Sequence, residues 1–165
     1  VTDDLSRREA DIAVRMTPPT QNALIARKIG EAPMGFYATA EYLQRHGVPA
    51  SFNELEDHTL IGFDSPVREI KELPGINIPV SRETFTFRSD SDLAQLAATR
   101  AGFGIGVAQH GIARRYGLVR VMPDRALFSL GIWIVMHENL KGSRRMRAMF
   151  DHLVEGFSAY VKDAR

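Results

Sequence analysis

The sequence of 165 residues contains no cysteine. That removes disulfides, thiolate nucleophiles and cysteine-based metal sites together, and it fits a reducing, cytoplasmic setting. No apolar run approaches the roughly 20 residues needed to cross a bilayer, so no membrane partner is expected. Charge of one sign is also scarce: the formal net charge is +1, which supplies no broad positive field for nucleic acid. Aromatics make up 8% of the chain, with one tryptophan. Trp133 and the phenylalanines fall largely on strand-like runs and read as core side chains, not as platforms for stacking bases. The opening Val1–Glu9 has neither an initiator methionine nor a signal-peptide core, so the sequence reads as a fragment.

Patterns of catalysis are missing as well. Gly62-Phe-Asp-Ser-Pro66 puts Asp where a nucleophile elbow needs Ser, and no phosphate-binding Walker loop occurs. The glycines of Gly102-Phe-Gly104-Ile-Gly106 have the wrong spacing for a dinucleotide fingerprint and precede a strand where that motif opens a helix. The five histidines (His46, His58, His110, His137 and His152) show no pair at ligand spacing. His110, near the end of an apolar strand, reads as a capping or surface residue because no acid–base partner accompanies it. These absences point away from an enzyme, a metal site or a bound cofactor.

What is present is an ordinary globular composition, 44% hydrophobic and 25% charged. The most informative stretch is Phe85–Gln109. Phe85 and Phe87 alternate with polar residues as in a strand. Ser89, Asp90 and Ser91 can each cap a helix by accepting from its free N–H groups. Leu93, Leu96, Ala97 and Ala101 follow at helical spacing, Gly102 and Gly104 permit a stop, and Ile105 and Val107 open another strand. A strand–helix–strand crossover makes its two strands parallel and places the capping loop at the carboxyl edge of the sheet, where small ligands bind in open α/β folds. The segment Ser89–Ser91 is therefore either a ligand-facing loop or a plain helix cap; Asp90 and Asp92 add negative charge that disfavours an anion there.

Around this unit, Asp11–Arg15 reads as a buried parallel strand and Leu5–Glu9 as a short turn or helix before it. Leu24–Ile29 and Met34–Thr39 read as two strands interrupted at Gly30–Pro33. Ala40–His46 is a two-turn helix closed by Gly47, with Pro49 beyond. Phe52–Asp57 is one helical turn, Thr59–Phe63 a strand and Val67–Pro79 a loop. Gly111–Tyr116 is a short helix, Leu118–Met122 a strand and Leu127–His137 a long strand. From Ser143, the apolar positions Met146, Phe150, Leu153, Phe157 and Tyr160 make one stripe that should pack on a sheet. Arg144, Arg145 and Arg147 at its start read as a solvated face. Such alternation indicates an α/β fold with largely parallel sheets. Breaks near Glu31–Pro33 and Pro123–Arg125 divide it into two lobes with a cleft between them.

Leu5–Arg15, the Met34–Gly47 strand and helix, and Arg100-Ala-Gly-Phe-Gly-Ile-Gly-Val107 together resemble the effector-binding domain of LysR-type transcriptional regulators. The resemblance covers nearly the whole chain. It implies a two-lobed fold like that of type II periplasmic binding proteins, with residues 1–32 and 125–165 forming lobe I and 33–124 forming lobe II. Lobe I would be incomplete, lacking its first strand, helix and second strand, and so would expose sheet edges. The function implied is inducer sensing in a bacterial, cytoplasmic regulator that forms a homo-oligomer and touches DNA only through an amino-terminal winged helix-turn-helix outside these residues.

Carried over residue by residue, the inducer loops would be Arg15-Met16-Thr17, Phe63-Asp64-Ser65-Pro66 and Ser89-Asp90-Ser91, with Gln109 as a weaker addition. Arg15 suits a carboxylate effector through its planar fork, although a surface role fits it equally well. The rival reading is a periplasmic solute-binding protein of the same fold.

Overall fold

The computed structural model of the chain describes residues 10–19, 24–65, 82–124 and 127–163. The expected turn at Leu5–Glu9, the loop at Val67–Pro79, Pro66 and Arg125 lie outside the described residues. The chain divides into two compact units, Val1–Ala32 with Ser129–Arg165 and Pro33–Phe128.

Unit 1 contains strand β1 (Ile12–Arg15), the first part of β2 (Leu24–Ala38), nearly all of β7 (Phe128–His137) and helix α4 (Arg144–Asp163). Its strand order is β1-β7-β2. β1 runs antiparallel to β7, with Ile12 opposite Met136 and Arg15 opposite Trp133. The stripe read from the sequence does pack on this sheet. Phe150 and Val154 of α4 are buried with Ile134 and Met136, and Leu153 and Phe157 pack alongside. Farther along, Val161 is buried with Ala32 and Ile132, joined by Tyr160. Ile132, Ile134 and Val135 expose no measurable surface. Burying one such side chain stabilises the fold by about 1.5–3 kcal/mol relative to leaving it in water.

Two expectations change here. β1 is antiparallel, not parallel, and among the described residues it ends the strand order with Val14 39% exposed, an edge position and not a buried one. Gly30–Pro33 does not interrupt β2, which runs unbroken for 15 residues. The small residues serve packing instead: a Cβ on Gly30 would press into Val161, and Ala32 is fully buried beside that same side chain.

Unit 2 contains the rest of β2, α1 (Ala40–His46), β3 (Ile61–Gly62), β4 (Phe87–Arg88), α2 (Asp92–Arg100), β5 (Gly106–Gln109), α3 (His110–Arg115) and β6 (Val119–Val121). β5 and β6 both pair antiparallel with β2, through Phe36 opposite Val107 and Phe36 opposite Val121. Most of the described pairing is thus antiparallel, against the expectation of largely parallel sheets. Among the described residues, β3 pairs parallel with β4, and Leu60 forms a parallel bridge with Ile105. The crossover through α2 does leave its flanking segments parallel, but β3 lies between them.

Ala38, Tyr42, Leu43, Leu55, Leu60, Ile105, Val121 and Met122 form one buried cluster of this unit; Tyr37, Ala108, Ala113 and Leu118 form another. Two glycines let α2 and its strands close up. A methyl group on Gly104 would collide with the Thr59 carbonyl, and one on Gly106 would collide with the Thr99 hydroxyl. Thr99 is itself held by donating to the Gln95 carbonyl at 2.9 Å.

Candidate functional site

The loops leaving β3 and β4 lie side by side because those strands are parallel neighbours, with Gly62 opposite Arg88. Phe63–Ser65 and Ser89–Ser91 therefore emerge together at one strand end, and Ser89 N–H bonds back to the Gly62 carbonyl at 3.0 Å. The tie between the two loops is Asp90. One of its carboxylate oxygens, Oδ1, accepts the backbone N–H groups of Asp64 at 3.0 Å and Ser65 at 2.9 Å. Its other oxygen, Oδ2, accepts the Ser65 hydroxyl at 2.6 Å. Those bonds favour the charged form. The Ser65 hydroxyl first, then the backbone N–H groups, with the more distant Arg82 charge, hold the Asp90 carboxyl below the usual carboxylate range.

Asp64 turns its own carboxylate the other way. Arg82 donates to its Oδ1 from Nε at 3.0 Å and from Nη2 at 2.7 Å, and also from Nε to its backbone carbonyl at 3.0 Å. Arg88 stands 3.7 Å from the same oxygen. Both partners in the Arg82 pair are about half exposed, so it adds little to stability and much more to where the loop points.

The Ser89–Ser91 loop is fixed from below. Ser91 caps α2 by accepting the Ala94 N–H at 3.3 Å, as the sequence pattern predicts. Ser89 Oγ accepts from Ser91 N–H at 3.2 Å, and the buried Gln95 donates its amide to the Ser89 carbonyl at 2.7 Å. The Ser65 hydroxyl and the N–H groups of Asp64 and Ser65 are already engaged by Asp90. Pro66 lies outside the described residues.

Gln109 ends β5 opposite Met34. The residue after it was underrated from sequence. His110 Nδ1 is 2.8 Å from the Tyr37 hydroxyl, and the two rings meet edge to face. Gly35 makes room for them: a Cβ there would lie 3.1 Å from His110, 3.3 Å from Tyr37 and 3.5 Å from Arg120 Nε. Burial, with the Arg120 charge, pushes the His110 pKa down. Burial raises that of Tyr37, against a smaller opposing pull from Arg120. The tautomer sets the direction of this bond: the Tyr37 hydroxyl donates to a bare Nδ1, or Nδ1–H donates to the phenol oxygen. This pair is 73 residues apart in sequence, and no local pattern announces it.

In unit 1, Arg15 closes β1 directly opposite Trp133, Met16 is half-buried against the Val161 cluster, and Thr17 is exposed. The fold thus gathers Phe63–Ser65 with Ser89–Ser91 in unit 2, while Arg15–Thr17 belongs to unit 1. No group of three or more His, Cys, Asp or Glu able to hold a metal occurs among the described residues. Nor is any helix among them long and apolar enough to cross a membrane.

Comparison with known proteins gives a consistent result. Residues 1–158 match the sequence model of the LysR substrate binding domain. The chain is 27% identical over 142 residues to an uncharacterized HTH-type transcriptional regulator of Haemophilus influenzae, covering 80% of this chain and 48% of that protein. It is 36% identical over 63 residues to the HTH-type transcriptional regulator CrgA of Neisseria meningitidis, covering 38% of this chain and 21% of that protein.

Among solved structures, the regulatory domain of CrgA superposes with a TM-score of 0.76 at 22% identity, covering 92% of this chain and 77% of that one. Full-length AphB of Vibrio cholerae superposes with a TM-score of 0.71 at 25% identity, covering 96% and 55%. The chain spans about half the length or less of the curated relatives it matches.

Proposed function

The chain belongs to the LysR substrate-binding domain family, and from that premise we propose that it is the ligand-sensing domain of a bacterial, cytoplasmic transcription regulator. The observation that carries this reading is the match over residues 1–158, with relatives that are themselves regulators. Those relatives also favour a regulator over the periplasmic solute-binding alternative. The effector is a small molecule taken by the loops at Arg15–Thr17, Phe63–Pro66 and Ser89–Ser91, with Gln109 contributing. Residues 1–32 with 125–165, and 33–124, serve as its two lobes.

An effector acts here by binding one conformation of the domain better than another, and it shifts their populations only by that difference in affinity. The domain is read as non-catalytic because its relatives are transcription regulators. Contact with DNA falls to a helix-turn-helix outside these residues, and the whole protein works as a homo-oligomer.

A thermal-shift screen of small carboxylic acids tests the reading, since a ligand that binds only the folded state raises the melting temperature with its concentration. A saturable rise is expected for at least one acid, and Arg15→Leu should abolish it. Absence of any saturable rise, or one indifferent to Arg15→Leu, would overturn the carboxylate reading. Sequence-specific, salt-resistant binding of duplex DNA by this chain alone would overturn the assignment of DNA contact elsewhere.

A further inference from the structure

Asp90 departs from what a ligand loop needs. Its carboxylate is met by three donors within 3.0 Å, two backbone N–H groups and one hydroxyl, all from Asp64 and Ser65. Convergent N–H and O–H donors of this kind are what a loop uses to hold the carboxylate of a small molecule, and charge-assisted bonds make the hold strong. Here the anion comes from the chain itself. It is tethered to the adjacent strand β4 and delivered from the start of α2, so it competes at a high effective concentration against any free acid.

The neighbouring charges fit the same picture. The carboxylate of Asp64 is turned away and engaged by Arg82, with Arg88 at 3.7 Å, so these arginines are already matched. A second anion entering the loop would meet two carboxylates and find its donors taken.

We propose that Asp90 is a specificity-determining residue: it is the resident anion of a carboxylate-sized seat formed by Asp64 and Ser65, and it closes this loop to external carboxylates. This rests on the reading of these loops as part of an effector site. It deepens that reading by assigning to the loop pair an uncharged portion of the effector, and by leaving any anionic group to Arg15.

The test is a titration with sodium acetate against equal sodium chloride, followed by melting temperature and by the backbone amide NMR signals of Asp64 and Ser65. In Asp90→Ala the donors are left empty. Acetate should then shift both amide signals saturably and raise the melting temperature by about 3 °C or more beyond its effect on the wild type. Wild type and Asp90→Asn, whose side-chain oxygen still reaches the donors, should show neither change at those amides.

If Asp90→Ala folds only when acetate is present, that is the expected result in its strongest form. If it does not fold at all, Asp90→Ser, too short to fill the seat, takes its place in the same titration. No acetate response in the emptied variant would overturn the seat. An equal response of the Ser65 amide in wild type would overturn its closure. Acetate bound at Arg15 would be common to all variants, so this outcome is separate from success or failure of the acid screen.

Discussion

In unit 1 a single long helix lays Phe150, Val154 and Val161 on a sheet whose inner face is Ile132, Ile134 and Met136. Unit 2 buries apolar clusters of its own but adds polar ties between distant segments. The Tyr42 hydroxyl, on a residue only 2% exposed, accepts the Thr59 N–H at 3.0 Å and faces His58 Nδ1 at 3.2 Å. Tyr37 holds His110, and Asp90 holds Asp64 and Ser65. Apolar burial is undirected; it sets how firmly a helix lies on a sheet, with some freedom in where each atom rests. Hydrogen bonds to fixed donors place a loop within tenths of an ångström. The difference teaches that unit 1 is organised for firmness and unit 2 for the position of its loops.

The sharpest way to break that contrast is to empty the core of unit 1. Ile134→Ala removes a side chain with no exposed surface and should cost about 2–5 kcal/mol in urea unfolding. A loss below about 1 kcal/mol would mean the α4 face is not what holds this unit. Tyr42→Phe tests the opposite side of the comparison. It strips one oxygen while leaving the ring stacked on His46 at 4.5 Å. It should cost about 1–3 kcal/mol because the Thr59 N–H and His58 Nδ1 lose their partner. A neutral result would show that the polar ties of unit 2 are incidental.

The smallest effect concerns pH. The folded His110 takes up its proton at lower pH than the unfolded chain, whose histidine titrates near 6.5. The unfolded state therefore binds more protons as pH falls, and this residue's contribution erodes stability below that value. The difference in stability between wild type and His110→Gln, measured from pH 7.5 down to 5.5, should move against the wild type as pH falls. A difference independent of pH would detach His110 from the tie.

The contrast also explains what was readable in the sequence. Unit 1's helix announced itself because Phe150, Leu153 and Phe157 repeat at the period of the structure they build. The cap of α2 was equally plain, since Ser91 and Ala94 are neighbours in the chain. Gly30 and Pro33 misled because their residue types signal turns, while here the lack of a side chain on Gly30 admits Val161. The ties of unit 2 were hidden for a different reason. Asp90 reaches back 25 and 26 residues, and Tyr37 reaches forward 73. Such bonds are properties of topology, and only folding brings their members together. From the sequence Asp90 counted as a charge that weakens an anion site; in the structure it is bonded to the donors such an anion would use.

The seam where Thr99 lies over Gly106 has a consequence for how this chain can drift over generations. A methyl group gained at position 106 strikes the threonine oxygen, yet its distance to the Thr99 Cβ would be 3.4 Å, close to ordinary contact. Alanine at 106 is therefore admissible once 99 has been trimmed to alanine, and forbidden before. The two positions form an ordered path: trimming at 99 must precede filling at 106, and 106 must be emptied again before threonine can return.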